Sequence, residues 1–351
     1  MATATNYAYW IELIVKYTLV VFWTFVASVG MLVQAVRFGP RTFFHWKRRT
    51  VPPDCLTDGW NHAFVKLSSV NIHYVHAGSR DRPLMLFLHG FPEFWYSWRH
   101  QLHDFQDQYW CVAIDQRGYN ESGKPRCVSE YSIKWLSSDV NELIQELGYS
   151  SCVLVGHDWG GAVAWHTASH YPERVAKLII MNCPHPAAFA KHIQSSVAQL
   201  LKSWYMFYFQ CPLLPELQIR TRDFHAFDEL FRGSGKFAFR NRDALTDDDV
   251  EAFKYVFSQP GALTGPINYY RAAFRVPKSE SATKRGQCEP PTLIIWGTND
   301  LALDQSMAEL STTFCRDATL RYIQGATHWV QQDEPAQCTQ FMRDFLDGAN
   351  N

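Results

Sequence analysis

The sequence predicts an α/β fold: a mostly parallel, doubly wound sheet with a helical insertion, preceded by one apolar helix. Three observations carry this. Short continuous apolar runs recur along the chain, separated by segments of helical periodicity. From Pro186 to Gln287 that alternation breaks, and Tyr, Phe, Trp, Leu and Arg dominate. From Tyr17 to Val36 there is no charged residue.

The N-terminal run has about the length that spans a hydrocarbon core. A cleaved leader would have a shorter apolar stretch, roughly 7 to 15 residues, behind a basic segment. Here Glu12 and Lys16 precede the run, and Arg37, Arg41, Lys47, Arg48 and Arg49 follow it. The expectation is a retained membrane anchor through residues 17–36. Basic residues on its C-terminal side place the rest of the chain in the cytosol. Phe43, Phe44 and Trp46 suit an interfacial segment.

After Pro52-Pro53 the pattern becomes globular. Phe64 to Val70 and Asn71 to Ala77 alternate apolar and polar residues, as two successive strands would. Leu84 to Leu88, Trp110 to Ile114, Cys152 to Val155, Lys177 to Met181, Thr292 to Trp296 and Leu320 to Ile323 read as buried parallel strands. Ser132 to Leu147, Gly161 to Ser169 and Pro335 to Leu346 read as helices. The expected organisation is an anchor and basic segment over 1–50, a core over 51–185 and 288–351, and a helical lid over 186–287. Such a lid covers the C-terminal edge of the sheet, where open α/β sheets bind ligands.

With 351 residues the chain holds one large domain plus an insertion. A net charge of −1 gives no electrostatic case for nucleic acid. The nine cysteines form no CxxC pair, so neither a metal site nor a redox motif is expected, and no cofactor. They read mostly as reduced thiols facing the cytosol. A sequon at Asn120-Glu121-Ser122 falls in a loop near the site and is expected to be unused.

Gly156-His157-Asp158-Trp159-Gly160-Gly161 joins an expected strand to an expected helix. This is the Gly-x-nucleophile-x-Gly form, in which small neighbours permit a strained turn that thrusts the central side chain upward. The plain alternative is a glycine-rich turn with Asp158 as a helix cap. An aspartate nucleophile changes the chemistry: a carboxylate suits displacement at saturated carbon, leaving an alkyl ester on the enzyme. His89-Gly90-Phe91-Pro92 follows another strand and resembles the oxyanion turn of the α/β-hydrolases. The backbone N–H groups of Phe91 and Trp159 would converge on one point. The Phe91-Pro92 bond sits where cis prolines occur. Asp300 ends a strand and His328 follows the last one, giving the chain order nucleophile, acid, histidine. His328 would be the general base, with Asp300 fixing its tautomer. Asp304 competes with Asp300 for that role.

Together these motifs resemble the epoxide hydrolases of the α/β-hydrolase superfamily, over roughly residues 60 to 347. The specific segments are His89-Gly90-Phe91-Pro92-Glu93, Asp115-Gln116-Arg117-Gly118-Tyr119, the Asp158 elbow, and the acid and histidine turns. With its anchor the chain is most similar to the animal membrane-anchored branch related to the soluble enzymes. The resemblance implies two lid tyrosines that donate to the epoxide oxygen. Tyr205 falls on the first, in Ser203-Trp204-Tyr205-Met206-Phe207-Tyr208-Phe209-Gln210, and Tyr270 on the second, in Gly265-Pro266-Ile267-Asn268-Tyr269-Tyr270-Arg271. Tyr208 and Tyr269 are the off-register competitors. The expected pocket is walled by His89, Pro92 and Trp329; the anchor and the aromatic-rich lid suggest small apolar epoxides, such as those of fatty acids, as substrates, and the endoplasmic reticulum is the expected membrane. Two rivals stand beside this reading. A haloalkane or haloacid dehalogenase would use the same aspartate, with Trp159 serving the halide; a membrane-tethered module without catalysis would keep only the fold.

Overall fold

The computed structural model describes residues 2–233, 238–241, 244–276 and 287–348. Eight strands form one sheet: β1 Asn61–Lys66, β2 Asn71–Ala77, β3 Leu84–Leu88, β4 Trp110–Ile114, β5 Cys152–His157, β6 Val175–Met181, β7 Thr292–Gly297 and β8 Ala318–Ile323. Their order is β1-β2-β4-β3-β5-β6-β7-β8. β1 and β2 pair antiparallel, as do β2 and β4, and every other pair is parallel. The apolar runs of β3, β4 and β5 are buried on both faces because helices cover the sheet on both sides. Leu86 pairs with Val112 on one side and Leu154 on the other, at the centre of the core.

Most expected elements lie where the sequence placed them, with ends shifted. The first strand is displaced furthest. Phe64 to Val70 was the expected span, but Leu67 N–H donates to Val70 O at 2.9 Å, which turns the chain there and draws Asn61 into the strand instead. The elbow helix runs Trp159–His170 and begins before Gly161, since its first turn sits directly on Asp158.

Between β6 and β7 the chain leaves the sheet and forms helices over Pro186–Ser195, Val197–Lys202, Trp204–Tyr208, Leu214–Arg232, Asp247–Ser258 and Thr264–Arg275. Residues 234–237, 242–243 and 277–286 of the expected lid lie outside the described residues. The segment Leu214–Arg232 is two helices across a kink, where Arg222, Asp223 and Phe224 have φ of 53°, 58° and 60°. Left-handed backbone costs an L-residue about 1–2 kcal/mol. The chain following the N-terminal helix offsets that cost. Asp223 N–H donates to His45 O at 2.8 Å, Lys47 N–H donates to the Asp223 carboxylate at 2.8 Å, and the Arg49 guanidinium grips Asp223 and Glu251, each at 2.7 Å. Residues 45–49 are therefore a strap on the lid kink.

The N-terminal helix, Ala2–Phe38, contains a stretch over Leu13–Phe38 with a mean hydropathy of 2.1, long and apolar enough to cross a membrane. It lies along the lid. Lys16 Nζ donates to Phe274 O at 2.6 Å, the Trp23 ring meets Trp204 at 5.7 Å, and Met31 and Ala35 pack with Phe43, Leu214 and Leu217.

Candidate active site

The candidate groups stand at the C-terminal ends of the strands, where loops leave the sheet. β5 ends in the elbow, and Asp158 has φ 49° and ψ −120°, a strained conformation for a non-glycine residue. Two neighbours make room for it. A Cβ on Gly160 would collide with the backbone carbonyl of Leu88, and one on Gly90 would lie 2.5 Å from the Asp158 Cβ. Gly160 is thus demanded by close approach of the β3 turn to the elbow, and Gly156 by the Gly160 carbonyl, which a Cβ there would meet at 2.5 Å.

Asp158 is held between two partners. Phe91 N–H donates to Oδ1 at 2.8 Å, and Oδ2 lies 3.5 Å from His328 Nε2. Trp159 N–H, expected as the second donor, makes no hydrogen bond to the carboxylate among the described residues in this resting geometry. The Phe91-Pro92 bond is cis.

His328 follows β8, and its Nδ1 faces Asp300 Oδ2 at 2.7 Å. Asp300 also accepts from Asn182 Nδ2 at 2.7 Å and from the Ala302 and Leu303 amides at 2.7 and 2.9 Å. Those bonds and His328 outweigh burial and hold its carboxyl below the usual range, so it stays ionised. Burial opposes a charge on His328, but Asp300 and then Asp158 outweigh it and raise its proton affinity well above that of a free histidine. Asp304, the competitor, pairs instead with Lys202 at 2.5 Å and His192 at 2.8 Å.

A cavity of about 230 Å³ opens over these groups, lined by Asp158, His328, Phe91, Pro92, Tyr205 and Tyr270 among others, with Trp329 also in its wall. The Tyr205 and Tyr270 rings meet edge to face at 5.7 Å. Burial, followed by the Asp158 charge, pushes both phenols above the ordinary tyrosine range, so each keeps its proton. The off-register tyrosines point elsewhere: Tyr208 OH lies 3.9 Å from Met31 Sδ, and Tyr269 OH donates to Arg117 O at 2.8 Å. The Trp159 ring packs edge-on against Tyr270 and is absent from the cavity wall.

His89 does not line the cavity. Expected in the pocket wall, it lies fully buried behind the turn. Its Nδ1 donates to Gly90 O at 2.9 Å, and its Nε2 accepts from Gln116 N at 3.1 Å. It shapes the Phe91 turn from below. Burial depresses its proton affinity, in keeping with a neutral ring that donates from one nitrogen and accepts at the other.

Three residues that sequence reasoning gave no role complete the frame. Glu93 is fully buried and accepts from Gly90 N at 3.0 Å, His157 Nδ1 at 2.7 Å, Gln331 Nε2 at 2.9 Å and Gln332 Nε2 at 2.7 Å. Burial would raise its carboxyl, yet His157 and these bonds carry it down to about 2. His157 Nε2 in turn donates to His328 O at 2.8 Å. Glu93 and His157 thus tie the Phe91 turn, the elbow strand and the histidine loop together. Asn182 after β6 has φ 41° and joins Asp300 to Gly297 N, the latter at 3.0 Å. The sequon residue Asn120 donates its amide to the buried Asp115 at 2.8 Å.

The sheet order, the elbow after β5 and the acid and histidine after β7 and β8 define the α/β-hydrolase fold. The family model for that fold matches residues 83–335. Epoxide hydrolase 1 of Caenorhabditis elegans is 46% identical over 93% of this chain and 79% of its own length. Human epoxide hydrolase 4 is 42% identical over 93% of this chain and 92% of its own. A crystal structure of an epoxide hydrolase variant from Bacillus megaterium, complexed with its product, a naphthyloxy-propanediol, superposes with a TM-score of 0.74 at 32% identity, covering 81% of this chain and all of the other. The chain belongs to the epoxide hydrolases of the α/β-hydrolase superfamily, and it is an ether-bond hydrolase.

Proposed function

We propose that the enzyme converts epoxides to vicinal diols through an alkyl ester on Asp158. The observation that carries this reading is convergence: a carboxylate, an imidazole and two protonated phenols face one apolar cavity. Asp158 Oδ1 is held by Phe91, which leaves Oδ2 to attack an epoxide carbon. The carbon–oxygen bond of the ring breaks, and Tyr205 and Tyr270 donate to the departing alkoxide. A phenol suits that task because it keeps its proton until a strongly basic oxygen forms.

Esterification then tunes the base. Asp158 loses its negative charge in the ester, so one of the two carboxylates that raise His328's proton affinity disappears. The imidazole then gives up to solvent the proton it holds at rest and is neutral at the step that needs a base. It takes a proton from water, whose oxygen adds to the Asp158 Cγ. The oxyanion forms on Oδ1, beside the Phe91 and Trp159 amides. Cleavage of the acyl bond releases the diol with the former Oδ2, and the imidazolium and the new carboxyl group return their protons to the diol and the tyrosine. A single turnover in ¹⁸O-labelled water tests the sequence: the label should enter Asp158 and be absent from the first diol released. Label in that diol would rule out the ester.

The domain division and the location are parts of the same proposal. Residues 51–185 and 288–351 form the core, 186–287 the lid and 1–50 the anchor. Residues 17–36 hold the chain on a membrane, that of the endoplasmic reticulum, with the following basic cluster and the catalytic domain in the cytosol. Apolar epoxides, such as those of fatty acids, partition to that location.

A further inference from the structure

A second cavity, of about 410 Å³, lies between the N-terminal helix and the lid. One wall is a single helical face, formed by Trp23, Ala27, Gly30, Met31 and Gln34. The other wall is the kinked lid helix, from Gln218 to Glu229. Ala226 of that helix borders both this cavity and the active-site cavity, and it is exposed. The two cavities therefore adjoin at Ala226. Phe22, Phe25, Val29, Leu32 and Val33 of the same helix are exposed. So are Leu213, Val197 and Leu201 on the lid segments that flank it. Exposed apolar surface of this extent is unfavourable in water and suits hydrocarbon.

We propose that this groove is a vestibule through which apolar epoxides dissolved in the bilayer reach the active site without crossing water. The inference rests on the epoxide-hydrolase and anchoring readings above. It makes the N-terminal helix part of the substrate path as well as a tether. Lid contacts run along the helix from Lys16 to Ala35. The clamp that keeps the groove in shape is visible at its end, where the Arg222 guanidinium lies 4.0 Å from the Phe38 ring centre.

Gly30 provides the test, because a Cβ added there meets nothing within 4 Å. Gly30→Phe projects a ring into the groove from an open position, and Gln34→Trp does so from the next turn. Both are made in the full chain, reconstituted in phosphatidylcholine vesicles. Each is assayed on a long-chain alkyl epoxide held in the vesicle and on styrene oxide added from water. The expected result is a fall of about tenfold or more in kcat/KM for the long-chain epoxide, with styrene oxide held within about twofold. Val33→Phe, on the outer face, should change neither. Equal change on both substrates in the two groove variants, no change on either, or the same selective loss in Val33→Phe would overturn the vestibule and leave the hydrolase reading standing. A parent chain that opens neither epoxide would overturn both.

Discussion

At the edge of the sheet, Asp158, His328 and Asp300 are bound to one another and to amides and side chains from four strand ends. Across the cavity, Tyr205 and Tyr270 contact their surroundings mainly through ring edges and faces, at 4.9 to 5.8 Å from Phe209 and from each other. No hydrogen bond occupies the Tyr205 or the Tyr270 hydroxyl among the described residues, which leaves both protons free. The sheet half is fixed before substrate arrives. The lid half holds its donors unspent until an acceptor appears. A preorganised charge and an uncommitted proton are the two things ring opening needs, and the molecule keeps them on different elements.

The largest effect expected from breaking this arrangement is at Asp158, the proposed nucleophile. Asp158→Ala should lower turnover by about 10⁴-fold or more, with the fold retained, as read by diol formation and circular dichroism. Substantial diol from that variant would end the covalent mechanism. His328→Gln should separate the half-reactions. Alkylation should continue while hydrolysis stops, so intact-mass measurement should find the enzyme heavier by one substrate. Free enzyme alone after substrate addition would mean that the histidine acts earlier.

The lid half is examined by removing hydroxyls. Tyr205→Phe or Tyr270→Phe should each slow single-turnover alkylation by about 10- to 1000-fold, as for loss of one oxyanion donor or a weaker one. The double variant should nearly abolish it. A double variant that alkylates at the parent rate would show that the lid supplies walls and no protons.

The smallest effect on chemistry, with a clear effect on stability, is expected at Glu93. Its carboxyl is depressed from 4.5 to about 2, so its contribution is present above pH 4.5 and is lost as pH falls toward 2. Glu93→Gln removes the buried carboxylate that His157, Gly90, Gln331 and Gln332 share and should cost about 3–5 kcal/mol by urea unfolding at neutral pH. The variant should also show a flatter loss of stability across that acid range.

The same division explains what the sequence could reveal. The strands of the core, the elbow, Asp300 and His328 were legible because each has a local signature: an apolar run, a glycine pattern, a place after a strand. The choice of Tyr205 over Tyr208 rested on resemblance alone, since both lie on one short helix and only packing orients them. His89 was misplaced because its adjacency to the Phe91 turn says nothing about which side of the turn its ring takes. Glu93, His157 and Asn182 went unread for a related reason. Their bonds join segments far apart in the chain, as Glu93 to Gln332 does, and no local pattern encodes that. The left-handed turn at Arg222 to Phe224 has no glycine to announce it, because the strap stabilises it from outside.

That strap bears on how the protein can be handled at the bench. Arg49 looks in the sequence like the tail of a dispensable basic linker, yet its guanidinium is nearly buried between Asp223 and Glu251. A water-soluble version trimmed at residue 50 would discard the group that holds the lid kink in its left-handed form. Trimming before His45 keeps it, and that boundary is the better one for purification and crystallisation.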